Sequence, residues 1–235
     1  MMGNRRLIVP PVSLPVLIIM GLIFIIAFVF FSGAVMAAFE KLGIPPEVAY
    51  SLFLLALFGS FINIPVAEET SYEPVLKVRE VRFFGIPYPV PVFDWEERKV
   101  IIAVNVGGAI VPVSVALYEI LRMIYQGNWG LLFNALLAVL IAALFSHAVA
   151  RPVRGLGIAM PLFLPPIIAI ALGWLLGGSN PNAIAYISGT LGVLIGADLM
   201  NWNRIKRLGA PMVSIGGAGT FDGIFLAGII AVLLV

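Results

Sequence analysis

Apolar positions run through this chain in long uninterrupted stretches, broken at intervals by short clusters of charge. A helix needs about twenty residues to cross roughly 30 Å of hydrocarbon. At that window the pattern predicts seven transmembrane helices, at 13–39, 46–66, 100–123, 131–150, 158–176, 182–200 and 211–235. The one long hydrophilic stretch, 67–99, has a different period. Val75-Leu76-Lys77-Val78-Arg79-Glu80-Val81-Arg82-Phe83 alternates polar and apolar residues as a strand does. Turn chemistry follows over 85–89, and 90–95 forms a return strand. The predicted fold is therefore an all-α integral membrane protein. It is a seven-span helical bundle with a small cytoplasmic β-hairpin between spans two and three, lying at the membrane surface.

Composition supports the bilayer as solvent. Hydrophobic residues make up 61% of the 235 positions and charged residues 11%, against about 25% charged in a soluble domain. A transmembrane barrel would need strands of alternating polarity about ten residues long, and the continuous apolar runs favour helices instead. The run at 13–39 follows Arg5-Arg6 and exceeds the 7–15 residues of a secretory h-region, so it reads as a span rather than a cleaved leader.

Charge then sets orientation. With the N-terminus cytoplasmic and the C-terminus outside, twelve of the fourteen Lys and Arg residues fall on inner segments, leaving Lys41 and Arg122 outside. A net charge of +2 sorted in this way speaks for a lipid bilayer as partner and gives no reason to expect nucleic acid. With no Cys and a single His, His147, thiol chemistry is excluded and a clustered zinc site is not expected. No metal or cofactor is expected, and oligomeric state is left open.

Several spans carry interruptions: Pro161 and Pro165-Pro166 in the fifth, Gly107-Gly108 and Pro112 in the third. Proline removes a backbone donor, and paired glycines allow close helix packing. A short internal echo relates Val104-Asn105-Val106-Gly107-Gly108-Ala109 to Val213-Ser214-Ile215-Gly216-Gly217-Ala218. A parallel duplication and a chance match of small residues are both open readings.

The chain has three Asp residues, Asp94, Asp198 and Asp222, and the last two fall within apolar spans. An Asp there costs roughly 2.5–3.5 kcal/mol on insertion scales and marks a functional candidate. At about 1.5 Å per residue, both lie at similar depth near the cytoplasmic side, on adjacent antiparallel spans. Two carboxylates sharing a desolvated site keep one proton between them. Such a pair activates water with one partner and polarises a carbonyl with the other.

The run Gly216-Gly217-Ala218-Gly219-Thr220-Phe221-Asp222-Gly223, with Gly196-Ala197-Asp198-Leu199 in the preceding span, resembles the two catalytic regions of the presenilin and signal-peptide-peptidase family. Here Asp222 follows Gly219 by three positions where that family has one, and the family's Pro-Ala-Leu sequence is not present. As a whole the chain resembles an uncharacterised family of prokaryotic polytopic membrane proteins. The first resemblance implies an intramembrane aspartyl protease, or a degenerate relative, with Asp198 and Asp222 catalytic and transmembrane peptides as substrates. Gly217, Gly219 and Thr220 would then bind substrate, the glycines letting its backbone approach.

Other readings stand beside this one. Asp222 as a helix cap and Asp198 as an interfacial residue before Asn201-Trp202-Asn203-Arg204 is one. A proton- or cation-coupled transporter or channel, with Asn63 and Asn105 as polar lining, is another. A non-catalytic scaffold presenting the hairpin is a third. His147 and Asn134 read as interhelical hydrogen-bonding residues, and Glu119 with Arg122 as a pair at i, i+3.

Overall fold

The computed structural model describes residues 14–84, 86–153, 157–205, 210–217 and 222–235. Its elements in chain order begin with α1 (Leu14–Lys41), α2 (Pro46–Gly59), β1 (Asn63–Phe83) and β2 (Ile86–Asn105). A π-helical turn, Val106–Ile110, leads into α3 (Val111–Tyr125), and α4 (Trp129–Val149) follows. Next come β3 (Arg151–Val153), β4 (Gly157–Ala159), α5 (Leu164–Leu176) and α6 (Pro181–Val193). A second π-helical turn, Leu194–Asp198, and a 3-10 turn, Leu199–Asn201, join α6 to the one-turn α7 (Trp202–Ile205). Last are β5 (Met212–Ile215) and α8 (Gly223–Leu234).

The all-α, seven-span expectation is wrong. Among the described residues four helical segments are long and apolar enough to cross a membrane: Leu14–Lys41, Val106–Tyr125, Trp129–Val149 and Pro181–Ile205. The segments expected as spans two, five and seven instead form helices of 14, 13 and 12 residues. At 1.5 Å per residue these reach only about 18–21 Å. The reason lies in how their apolar runs are divided. Asn63 to Val66 open β1, Ile158 and Ala159 belong to β4, and Met212–Ile215 form β5. Hydropathy alone does not distinguish a buried strand from a helix in a short apolar run.

The hairpin also departs from expectation, beginning at Asn63 rather than Ala67 and ending at Asn105 rather than Lys99. The two strands pair antiparallel from Asn63↔Asn105 to Phe83↔Ile86, a ribbon about 65 Å long at 3.3 Å per residue. Its return strand starts at Ile86, and Pro87, Pro89 and Pro91 lie inside the ladder opposite Arg82, Glu80 and Val78. All three share one parity, so their missing donors belong to the row facing away from β1. Proline here strips the outer edge without costing a ladder bond. Among the described residues a third strand joins at the ribbon base, where β2 carries no proline and β5 pairs parallel with it from Ile101↔Met212 to Val104↔Ile215.

Helix α6 sits at the centre, with Ala183 through Thr190 all buried. Gly192 and Gly196 let the α6 segment lie directly on α4, since a methyl at Gly196 would stand 2.1 Å from the Ala143 carbonyl oxygen. Asn128 and Asn180 accept from Leu131 N and Ala183 N at 3.2 Å and cap α4 and α6. At that same end Lys41 Nζ donates to the Val232 and Leu233 carbonyls at the close of α8, and Arg122 donates to the Leu42 carbonyl. Ribbon base, β5 and the start of α8 occupy the opposite end. Helix α1 joins the core through Val35, Ala38 and Phe39, while its first half is exposed.

Candidate functional site

Asp198 closes the π-helical turn that follows α6. Such turns hold well under 1% of residues and recur at functional positions. Asn201, 1% exposed, holds this one open. Its Nδ2 donates to the carbonyls of Gly196 at 3.2 Å and Ala197 at 2.9 Å, and lies 3.2 Å from His147 Nδ1. These bonds tie two carbonyls of the turn to a side chain of the segment that follows it. Arg204 donates to Asn201 Oδ1 at 3.1 Å, fixing the amide's orientation.

Asp222 stands at the N-cap of α8 with extended backbone, φ −74 and ψ 168. Its side chain makes no capping hydrogen bond to that helix. Only its carbonyl takes the capping role, accepting from Leu226 N at 2.9 Å.

The two carboxylates line the same two cavities. One, of about 340 Å³, is mainly apolar, with Met160, Pro161, Leu162, Val193 and Leu226 in its wall. The other, of about 250 Å³, adds Asn63, Ser214 and Gly217. Asp198 and Asp222 are close enough to interact electrostatically. Of the positions expected to bind substrate, Gly217 is exposed and lines the second cavity. Gly219 and Thr220 lie outside the described residues.

The other π-helical turn, Val106–Ile110, meets the site from the other side. Asn105 ends β2 and caps this turn, its Oδ1 accepting from Gly108 N at 2.8 Å. Glycine is required beneath it. A methyl at Gly107 would stand 2.0 Å from the Ala56 carbonyl oxygen, and one at Gly108 would stand 3.1 Å from Asp222 Cβ. The echo noted in sequence is thus two strand–glycine–helix passages side by side, β2 into α3 and β5 towards α8. Their ladder register is offset by two from the sequence match, pairing Ile102 with Val213.

Asn105 and Ser214, equivalent in the echo, both bond the side chain of Asn63. Asn105 Nδ2 donates to Asn63 Oδ1 at 3.0 Å, and Ser214 Oγ donates to the same oxygen. Ser214 and Asn201 were not picked out in sequence. The echo carried a signal for the first, and nothing marked the second among other interfacial residues.

The remaining candidates lie elsewhere. Asn134 Nδ2 donates to the Leu176 carbonyl at 2.9 Å, joining α4 to α5. Glu119 is fully buried, with Arg122 Nη1 at 3.7 Å. Among the described residues no cluster of three or more His, Cys, Asp or Glu could hold a metal ion.

No curated protein and no solved structure matches the chain. A family model described as "Protein of unknown function (DUF1614)" matches residues 57–234, from the end of α2 to the end of α8 and so across the whole Asp site. The chain belongs to the DUF1614 family.

Proposed function

We propose that this protein hydrolyses peptide bonds of membrane-embedded substrates, using Asp198 and Asp222 as a dyad near the cytoplasmic face. The observation carrying this reading is that two carboxylates from separate elements line one cavity, each displaced from regular α-helix. The pair shares one proton. Its ionised member takes a proton from water as the oxygen attacks the carbonyl carbon, and its protonated member donates to the carbonyl oxygen. Collapse of the tetrahedral intermediate breaks the C–N bond, and the nitrogen leaves as the amine with a proton from the dyad. The resemblance of the flanking runs to presenilin-type proteases supports the same chemistry. β5 is the edge of its sheet among the described residues, beside the cavity, and an extended substrate segment can add there.

The test is cleavage of a synthetic transmembrane peptide by the protein in liposomes, with Asp198→Ala and Asp222→Ala in parallel. Loss of cleavage in both variants supports the proposal, and retention in either sinks it. The polar wall of the second cavity, Asn63 and Ser214, favours one other reading, proton or cation coupling. Ion flux that depends on both Asp residues, without cleavage, would select it.

A further inference from the structure

The orientation of Asn63 follows from two backbone groups with fixed roles. Gly108 N–H can only donate, so the Asn105 atom it meets at 2.8 Å is oxygen. The Ser60 carbonyl can only accept, so the Asn105 atom 2.8 Å from it is nitrogen. Asn105 therefore has a second N–H to give, and it reaches Asn63 at 3.0 Å, where the acceptor must be Oδ1. Ser214 Oγ, which lies against the same oxygen, is then the donor. Both acceptor positions of Asn63 Oδ1 are filled. What Asn63 has left is its NH₂ group, which no described residue accepts, and Asn63 lines the cavity that Asp198 and Asp222 share.

We infer that Asn63 is the neutral hydrogen-bond donor of this cavity, its side-chain N–H directed at the carbonyl oxygen of the group held between the two carboxylates. The inference rests on the peptidase reading for the identity of that carbonyl, but the donor assignment itself does not. A carboxylate pair holds at most one shared proton to offer a developing oxyanion. A preorganised N–H beside it supplies stabilisation that water would have to reorganise to give. Asn105 and Ser214 are positioning residues, since they act only by fixing the amide.

Two measurements test this on the full chain. In protein labelled with 15N at asparagine, in micelles, the Asn63 NH₂ signal is identified by its loss in Asn63→Asp. Its protons should exchange with water much faster than those of Asn105, whose NH₂ is bound within the protein. Exchange as slow as at Asn105 would overturn the inference. In the cleavage assay, Asn63→Asp keeps the acceptor oxygen for Asn105 and Ser214 while removing the donor. Read at its own pH optimum, it should lose about 100-fold in kcat with KM little changed. Ser214→Ala, which leaves the donor in place, should stay within about tenfold of wild type. Equal losses in the two variants would show a structural role and reject the donor. If the wild type cleaves nothing, the peptidase reading fails, and water exchange alone decides the Asn63 assignment.

Discussion

Gly108 and Gly216 lie backbone against backbone: a methyl on Gly108 would stand 2.0 Å from the Gly216 carbonyl oxygen, closer than any real contact. Gly216 itself has φ +72 and a Cβ there would meet Ala109 N at 2.7 Å, so both positions exclude other residues. Gly108→Ala should cost at least about 2–3 kcal/mol, the upper range for overpacking. Thermal unfolding in detergent measures this. Because Asp222 Cβ is the next atom displaced, activity should fall further than stability in any variant that still folds.

Asn201 gives the complementary prediction on the Asp198 side. Asn201→Ala removes the donors to the Gly196 and Ala197 carbonyls. It should destabilise by about 2 kcal/mol, since two carbonyls in the bundle interior each lose a hydrogen bond. Asn201→Asp retains the oxygen that accepts from Arg204 but not the donors, and should fall with the alanine variant. Stability close to wild type in either would show that the π-helical turn holds without its latch.

The absence of cysteine makes water access directly measurable. Ser214→Cys, placed in the wall of the second cavity, should react with a membrane-impermeant maleimide. Ile184→Cys, at a fully buried position of α6, should not react. Equal reactivity, or none at position 214, would count against an aqueous path to the carboxylates.

Glu119 should tolerate neutralisation. It is fully buried, neither oxygen accepts a hydrogen bond among the described residues, and Arg122 is engaged with the Leu42 carbonyl. An ion pair of this geometry contributes little against its desolvation. Glu119→Gln should therefore match or exceed wild-type stability by about 1 kcal/mol, read as a rise in Tm. A fall of that size would reveal a partner for the carboxylate.

At the ribbon base Lys99 Nζ bonds Glu68 at 2.6 Å, and both side chains are exposed. The hydrogen bond first, and the charge of Glu68 second, raise the Lys99 ammonium above its ordinary value of 10.5. A group raised in the folded state adds stability below its unfolded value and loses it as pH rises through the folded one. Exposure keeps that contribution small. Lys99→Met should lower Tm only slightly at neutral pH, and that difference should vanish at strongly alkaline pH.

Helix content and the meeting of the two Asp residues were legible in sequence for a common reason. Long apolar runs and the rare charges that interrupt them are both features that composition exposes directly. The strands were harder because each shares an apolar run with a helix. Nothing in the hydropathy of Pro211 to Val235 says that Met212–Ile215 is extended; pairing with β2 decides it. Pro87 and Pro89 misled in the opposite direction, since they read as a turn until the ladder's parity is known. Asn63 was visible only as a polar residue in a span, and its orientation needed the bonds of Gly108 and Ser60.

The uneven helix lengths have a further consequence for how the site meets its solvent. α4, with 21 residues, is about 31 Å long, whereas α5 and α8, which border the larger cavity, are about 20 and 18 Å. A bilayer matched to the long helices is too thick for the short ones, and lipid beside them must thin or headgroups must dip inward. Hydrophobic mismatch would thus hollow the membrane at the carboxylates, giving water a shallow basin down to Asp198 and Asp222 while the long helices keep the seal around it.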